Sequence, residues 1–363
     1  MTYLTTKGLA LGLAVLAAAP AAAQDLRLAP AAPPAHPAYY MYEHFAEFLA
    51  EESGGSIGTT ILGPEVVALP QMGDALTSGL ADVGNSLPLY FAADFPITGG
   101  AGDLALLGRD PYAMGLAFTE WVVNCQPCQE EFAAFGGVFL GAGSSDVYGL
   151  ITTVPVESAD DLQGLRLRSG GAPYSRWAEN FGASGVPMAV GDQFEAMSQG
   201  TIDGSMASIV DMLSYRLIDV ATHFNTMPIG TYHATSNFTF ANATWEGLTV
   251  EQREQVLRAA NRANLAFTDR WAFQLPEEAR TAVADSDIVV TEASDELLAA
   301  VEEFAQADRE AQIAAAGPDL ADFVTLVDEW TAIVAETGED PEALADVAWE
   351  RIWSNVDLST YGL

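Results

Sequence analysis

Leu26-Arg27-Leu28-Ala29 alternates apolar and polar positions, the signature of a short strand with one buried face. A proline-rich loop, Pro30 to Pro37, follows it. A helix is then predicted from about Ala38 to Glu52, with Phe45, Phe48 and Leu49 at helical spacing. Gly54-Gly55 ends it, Ser56 to Leu62 reads as a second strand, Val66 to Ser78 as a helix, and Asp82-Val83-Gly84 opens a third strand. Short strands alternating with helices imply βαβ units and a largely parallel sheet. One octet then occurs twice. Ala75-Leu76-Thr77-Ser78-Gly79-Leu80-Ala81-Asp82 and Ala196-Met197-Ser198-Gln199-Gly200-Thr201-Ile202-Asp203 share the order Ala, apolar, Gly, Asp. In each, a helix stops at a glycine able to adopt the left-handed conformation and an aspartate enters the next strand. The repetition predicts two α/β lobes of similar topology facing across a cleft, since ligands of open sheets sit beyond the carboxyl ends of strands.

From Ala241 the pattern becomes mostly helical. Thr249 and Gln252 form a capping box ahead of a long helix to about Phe273, carrying Leu257, Ala260, Leu265 and Trp271. Ile288-Val289-Val290 is one more strand, and helices near Asp295–Ala315, Asp319–Glu336 and Pro341–Asn355 finish the chain. The expected organisation is a leader over 1–23, a first lobe from 24–145 and 234–275, and a second from 146–233 and 276–363 that includes the C-terminal helices. The predicted chain crossings fall near Ser145, near Ala234 and along the helix starting at Glu251.

The first residues change the picture by setting a compartment. Lys7, the apolar run Gly8 to Ala19, and Ala21-Ala22-Ala23 have the order of a secretory leader, its apolar part too short to span a bilayer. Cleavage after Ala23 is expected, leaving an exported chain with no later segment to insert in a membrane. Formal charge is −36, and loss of Lys7 makes it −37 with no lysine left. Such a surface repels nucleic acid and anionic membranes. If the ligand is an anion, a few fixed arginines must overcome an unfavourable field. The two cysteines stand in Cys125-Gln126-Pro127-Cys128. A local disulfide or two idle thiols fits an exported chain better than redox work or half a zinc site, because none of the four histidines completes a zinc spacing.

The segment Val154 to Arg176 carries the sharpest chemistry. Ser158 caps a single helical turn with Asp161 as its capping-box acid, Gly164 ends the turn, and Leu165 to Arg168 is a strand. Arg168 closes that strand ahead of Ser169-Gly170-Gly171-Ala172 and Pro173, an early helical residue. A guanidinium then stands at the carboxyl edge of a sheet beside a helix N-terminus, with small residues that permit close approach of a ligand. Arg166, one step back, reads as a surface ion pair with one of the fifty acids.

Asp161-Leu162-Gln163-Gly164-Leu165-Arg166-Leu167-Arg168, then Phe181-Gly182-Ala183, Val186-Pro187-Met188, Glu195-Ala196-Met197, Gly200-Thr201-Ile202-Asp203-Gly204 and Asn242 to Leu248 with Trp245 occur in a telling order. In these, over nearly the whole chain, the sequence resembles the solute-binding proteins of tripartite ATP-independent periplasmic (TRAP) transporters, DctP type. The resemblance implies a periplasmic-binding-protein-like fold: two α/β lobes around a central ligand cleft, with a C-terminal helical extension. It also implies a periplasmic receptor, not an enzyme and without cofactor, that closes on a small organic acid and passes it to TRAP permease membrane subunits. Arg168 would then pair with the ligand carboxylate in bidentate fashion. Many sialic-acid- and dicarboxylate-type members carry a second arginine about twenty residues earlier, where Tyr148 stands here, and many have Gln-Glu-Asn where this chain has Ser205-Met206-Ala207. A monocarboxylate, or a small hydroxy- or keto-acid, is therefore expected over a sialic acid, with a dicarboxylate left open. Tyr148 would offer a hydroxyl, an aromatic wall or core packing. Asp211, beyond the strand Ser205–Ile209, would accept from a ligand hydroxyl or ammonium, or cap the next helix. Ser145, Gly170, Ser208, Asn85 and His36 complete the candidate ligand-binding set.

Enzyme motifs fail on context. Gly54-Gly55-Ser56-Ile57-Gly58 matches G-x-S-x-G, but a nucleophile elbow needs a strand turning into a helix, and here the predicted order is reversed. There is no P-loop, no H-E-x-x-H, and no dinucleotide fingerprint after the first strand. A secreted hydrolase with a carboxylate site outside known motifs, or a ligand-sensing receptor subunit, are the rival readings.

Overall fold

The computed structural model describes residues 24–316 and 318–363; the expected leader, 1–23, lies outside them. Its strands are β1 (Gln24–Ala29), β2 (Ile57–Ile61), β3 (Val83–Ser86), β4 (Gly137–Phe139), β5 (Gly149–Thr152), β6 (Arg166–Ser169), β7 (Ser184–Pro187), β8 (Gly204–Ala207), β9 (His223–Asn225), β10 (Ser236–Ala241) and β11 (Val289–Thr291). They form two sheets, in the orders β2-β1-β3-β10-β4 and β11-β9-β5-β8-β6-β7. Each sheet is the centre of one α/β lobe.

The sheets are mixed, not largely parallel as the alternation predicts. β10 runs against both β3 and β4, and β5 against both β8 and β9. The reason is the route of the chain. β4 ends at the cleft, and residues 140–148 carry the chain across, so β5 must start at the cleft and run away from it. β9 returns toward the cleft, residues 226–235 cross back, and β10 starts there too. The two crossing segments lie antiparallel, joined by a Val147–Thr231 bridge and by Tyr148 N–H donating to Gly230 O at 2.7 Å. The third crossing is helical: Val250–Asp269 packs along Pro37–Glu52 of the first lobe, and Leu275–Ala284 leads to β11 in the second sheet.

The repeated octets build one device twice. Gly79 and Gly200 both have positive φ, +71° and +67°. The aspartate that follows grips the arginine of the neighbouring strand. Asp82 accepts from the Arg27 backbone N–H (2.8 Å), Nε (2.8 Å) and Nη2 (3.0 Å), and Asp203 accepts from the same three groups of Arg166 at 2.9, 3.0 and 2.8 Å. Leu28 pairs with Val83 just as Leu167 pairs with Gly204. In this superposition of β1 on β6, Ala29 of the first lobe takes the place that Arg168 holds in the second.

Both predicted capping boxes are present, at Ser158–Asp161 and Thr249–Gln252. The helix expected over Val66 to Ser78 is shorter, a 3-10 turn Leu69–Gln71 followed by Met72–Thr77, because Pro70 disfavours helical backbone in the residue before it. Of the three closing helices, expected with the second lobe, the last two lie on the first: Pro318–Thr337 packs along Pro111–Asn124, and Pro341–Arg351 along Val250–Asp269, while Asp295–Ala316 ties to both lobes through the ion pairs Arg109–Glu302 and Arg176–Asp308. The attachment is chemical as well as apolar. Glu120 accepts from Trp330 Nε1 and Arg351 Nε, both at 2.7 Å, and Tyr361 Oη donates to Phe139 O at 2.8 Å. Cys125 and Cys128 are joined in a disulfide at the start of the helix Gln126–Phe135, whose N-cap is Cys125. Ser56 follows a helix and enters β2, so no nucleophile elbow exists there. Among the described residues no helix is long and apolar enough to cross a membrane.

Candidate ligand-binding site

Arg168 rises from the carboxyl end of β6 between the lobes and is only 2% exposed. Its Nε donates to Met188 O (3.2 Å) and its Nη2 to Tyr90 Oη (2.6 Å), while Nη1 bonds to none of the described residues. No carboxylate of the described residues lies within ion-pair distance of it. Arg166 differs: it is clamped on Asp203 with a 46% exposed side chain. Burial disfavours the Arg168 charge, but the surrounding Tyr90, Tyr148, Asp211 and Tyr232 oxygens hold its pKa above the ordinary value.

The guanidinium lines a cavity with about 40 Å³ of free volume, walled also by His36, Asn85, Tyr90, Tyr148, Asp211, Tyr215, Tyr232, Thr235, Phe267 and Trp271. That is room for about three waters. Tyr90, from the first lobe, accepts both the Arg168 Nη2–H and the Val190 N–H (3.2 Å) of the second, so the lobes are closed on the space. Tyr148, Tyr174 and Tyr232 stack beside it, with centroids 5.4 to 6.3 Å apart.

Asp211 is buried, accepts from Gln193 Nε2 at 2.8 Å, and has its pKa pushed up to about 6 by burial, with Gln193 and Arg168 pulling the other way. His36 caps the helix Pro37–Glu52: its Nδ1 accepts the Ala38 N–H at 3.1 Å, and burial lowers its pKa to about 3. The ring is thus neutral with its proton on Nε2.

Five sequence candidates, Arg168, Tyr148, Asp211, Asn85 and His36, therefore meet at one cavity. Three do not line it. Ser145 sits in the first crossing segment, donates to Asp146 O (2.6 Å) and accepts from Tyr232 N–H (2.8 Å), so it orients the Tyr232 backbone. Ser208 accepts from Val210 N–H at 3.1 Å and faces Asp146, whose pKa burial raises to about 7. Gly170 lies behind the site, where an added Cβ would stand 3.3 Å from the Tyr232 ring and 3.4 Å from Arg168 Nη2. Sequence reading missed Tyr90, Tyr215, Tyr232 and Trp271. A signal existed for the last: Pro276 interrupts the helical ladder, and a π-turn, Arg270–Gln274, presents Trp271 just before it. Among the described residues no group of three or more His, Cys, Asp or Glu is gathered as metal ligands would be.

Two mixed α/β lobes, three crossings and a closed interlobe cavity built around a buried arginine define a two-lobed solute-binding protein. The chain belongs to the DctP family, the bacterial extracellular solute-binding proteins of family 7, whose model matches residues 28–314. A solute-binding protein from Chromohalobacter salexigens is 25% identical over 160 residues, 43% of this chain and 46% of that protein, so this chain spans under half of that relative's length. The fold is similar to that of a TRAP periplasmic solute-binding protein from Bordetella bronchiseptica with bound (R)- and (S)-mandelate (TM-score 0.75, 23% identity, covering 85% of this chain and 99% of that one). It is also similar to one from Chromohalobacter salexigens with bound D-glucuronate (TM-score 0.70, 21% identity, 84% and 99% covered).

Proposed function

We propose that this chain is the exported, periplasmic receptor of a TRAP transporter and binds a small aromatic monocarboxylate between its lobes for delivery to the membrane permease. The observation that carries the reading is Arg168, a buried guanidinium with a free Nη1 and no carboxylate partner among the described residues, set in aromatic walls. A carboxylate supplies the missing counter-charge in a fork geometry that lysine cannot match. A −36 chain holds an anion through a local group of this kind. Rings of Tyr148, Tyr215, Tyr232 and Trp271 favour a flat apolar body behind the acid, and seating it requires the closed cavity, with about 40 Å³ free, to widen as the lobes part. Among the described residues no second cation lines the cavity, which disfavours a dicarboxylate. The chain then acts by capture and release, with no bond made or broken in the ligand.

A thermal-shift screen across organic acids tests it, since a ligand at 100 times its Kd stabilises by about 2.7 kcal/mol. Aromatic acids should raise the melting point; a response to amines or neutral sugars with none to acids sinks the reading. Calorimetry with the best acid should then show Arg168→Lys weakened and Arg168→Ala weakened about a hundredfold, roughly 3 kcal/mol. Arg166→Ala should bind normally, and an unaffected Arg168→Ala would remove the anchor.

A further inference from the structure

Apart from Arg168, the cavity wall contains buried polar atoms with nothing to bond. Trp271 Nε1 and Asn85 Oδ1 are inaccessible and have no hydrogen-bond partner among the described residues, and both side chains belong to residues only 6% exposed. The Asn85 amide is oriented, because its Nδ2 donates to Pro30 O at 3.4 Å, which leaves Oδ1 as the unsatisfied acceptor. His36 adds a third group. With Nδ1 committed to the Ala38 N–H, Nε2–H is a donor, and it has no partner among the described residues. The His36 and Trp271 rings are 5.6 Å apart; Asn85 and His36 come from first-lobe elements and Trp271 from the helical crossing, whereas Arg168 comes from the second lobe.

The stoichiometry of these atoms identifies a complement. The Tyr232 hydroxyl is also unpartnered among the described residues but stands beside Arg168, where it can serve the carboxylate; the other three atoms are one acceptor and two N–H donors. A hydroxyl offers one donor and two acceptor lone pairs. An ether or carbonyl would leave Asn85 Oδ1 dry, and an ammonium would leave both donors dry. A bare aryl ring would strand all three, and buried polar groups without partners are costly. Sites built to hydrogen-bond a hydroxyl reject the analogue lacking it far more strongly than apolar pockets discriminate size.

We propose that Asn85, His36 and Trp271 form a hydroxyl subsite across the cleft from Arg168, so that the preferred ligand is a hydroxylated aromatic acid and not its unsubstituted parent. The inference rests on the carboxylate reading of Arg168 and extends it to the other end of the ligand. The hydroxyl donates to Asn85 Oδ1 and accepts from Trp271 Nε1–H and His36 Nε2–H.

Calorimetry on the purified protein with matched acids decides it. The probes are benzoate against the three hydroxybenzoates, phenylacetate against mandelate, and 3-methoxybenzoate as an acceptor that cannot donate. At least one hydroxy acid should bind about tenfold or more tightly than its parent, and the methoxy acid should not share the gain. In Trp271→Phe and in Asn85→Leu, affinity for that hydroxy acid should fall about tenfold more than affinity for its parent. Melting curves confirm folding, and Trp271→Phe alone suffices if Asn85→Leu fails to fold. Equal affinities for hydroxy and parent acids in the wild type, or a preference that survives Trp271→Phe intact, overturn the subsite while leaving the carboxylate anchor standing. Failure of every acid to bind overturns both.

Discussion

Arg168 and Arg166 share a strand and a chemistry, and the difference between them is one of neighbours. Arg166 has Asp203 at 2.8 Å, so its charge is spent on holding the octet against β6. Arg168 has hydroxyl and carbonyl partners that satisfy hydrogen bonds without neutralising charge. Tyr90 is the most informative of these. One hydroxyl accepts from the Arg168 Nη2–H and the Val190 N–H, both across the interlobe boundary, and so latches the closed form while aiming the guanidinium. Tyr90→Phe leaves a buried charged N–H without its acceptor, at a cost of about 1–3 kcal/mol in the closed state. Its ligand affinity should fall about tenfold or more, while the melting temperature of the ligand-free protein changes little, because an open form rehydrates the arginine. Equal losses in both measurements would assign Tyr90 to the core instead of the latch.

Elements, more than single residues, explain how distant segments are brought to register. The Gly–Asp clamp on Arg27 and Arg166 locks the strand after each octet helix beside the strand that precedes it. This makes β1 and β6 equivalent and places their ends, Ala29 and Arg168, at the cleft. The long helix from Val250 is the longest element shared by both lobes' connections, and its start is set by Thr249 and Gln252. Thr249 Oγ1 accepts from Gln252 N–H at 3.2 Å and Gln252 Oε1 accepts from Thr249 N–H at 2.9 Å. Thr249→Ala should destabilise by about 1 kcal/mol, and Thr249→Ser should restore most of it. Denaturant midpoints of the three proteins, at an unchanged slope, check the assignment. The alternation and capping signals behind these elements are short-range, which is why they were legible in the chain. Strand direction was not: β5 and β10 were not picked out as strands at all, and only the crossings at 140–148 and 226–235 set the way they run.

At the scale of the whole molecule, acids dominate, and two of them are buried at the junction of the lobes. Burial raises Asp146 to about 7 and Asp211 to about 6 from the ordinary 3.8. Asp146 is further raised by Asp211, and Ser208, Arg280 and the Ile209 N–H work against the shift. The folded protein therefore keeps protons that the unfolded chain releases. This contribution to stability is complete below about pH 4 and is lost as pH rises through about 6 to 7. General acidic self-repulsion acts in the same direction, so a variant is needed to separate them. The fall in melting temperature between about pH 5 and pH 8 should be shallower in Asp146→Asn than in the wild type. Identical slopes would remove Asp146 from the account and leave Asp211 and the surface charge responsible.

Local order was determined by the sequence itself. Alternation in Leu26–Ala29 and Leu165–Arg168, glycines at positive φ, two capping boxes and an arginine at a strand's end each depend on residues a few positions apart, and such interactions act before the chain is folded. Arg168 was legible because the edge of a strand is a local fact. The remainder of the cavity was decided by tertiary structure. Its wall gathers residues from Ala31 to Trp271, with Tyr90, Tyr215 and Tyr232 arriving on three separate segments. Ser145, Gly170 and Ser208, close to the cleft in sequence terms, were turned to support the wall instead of lining it. Whether a polar atom meets a partner or is left for a ligand depends on contacts closed by two loop crossings and one helix, and no short pattern along the chain encodes which atoms those crossings bring together.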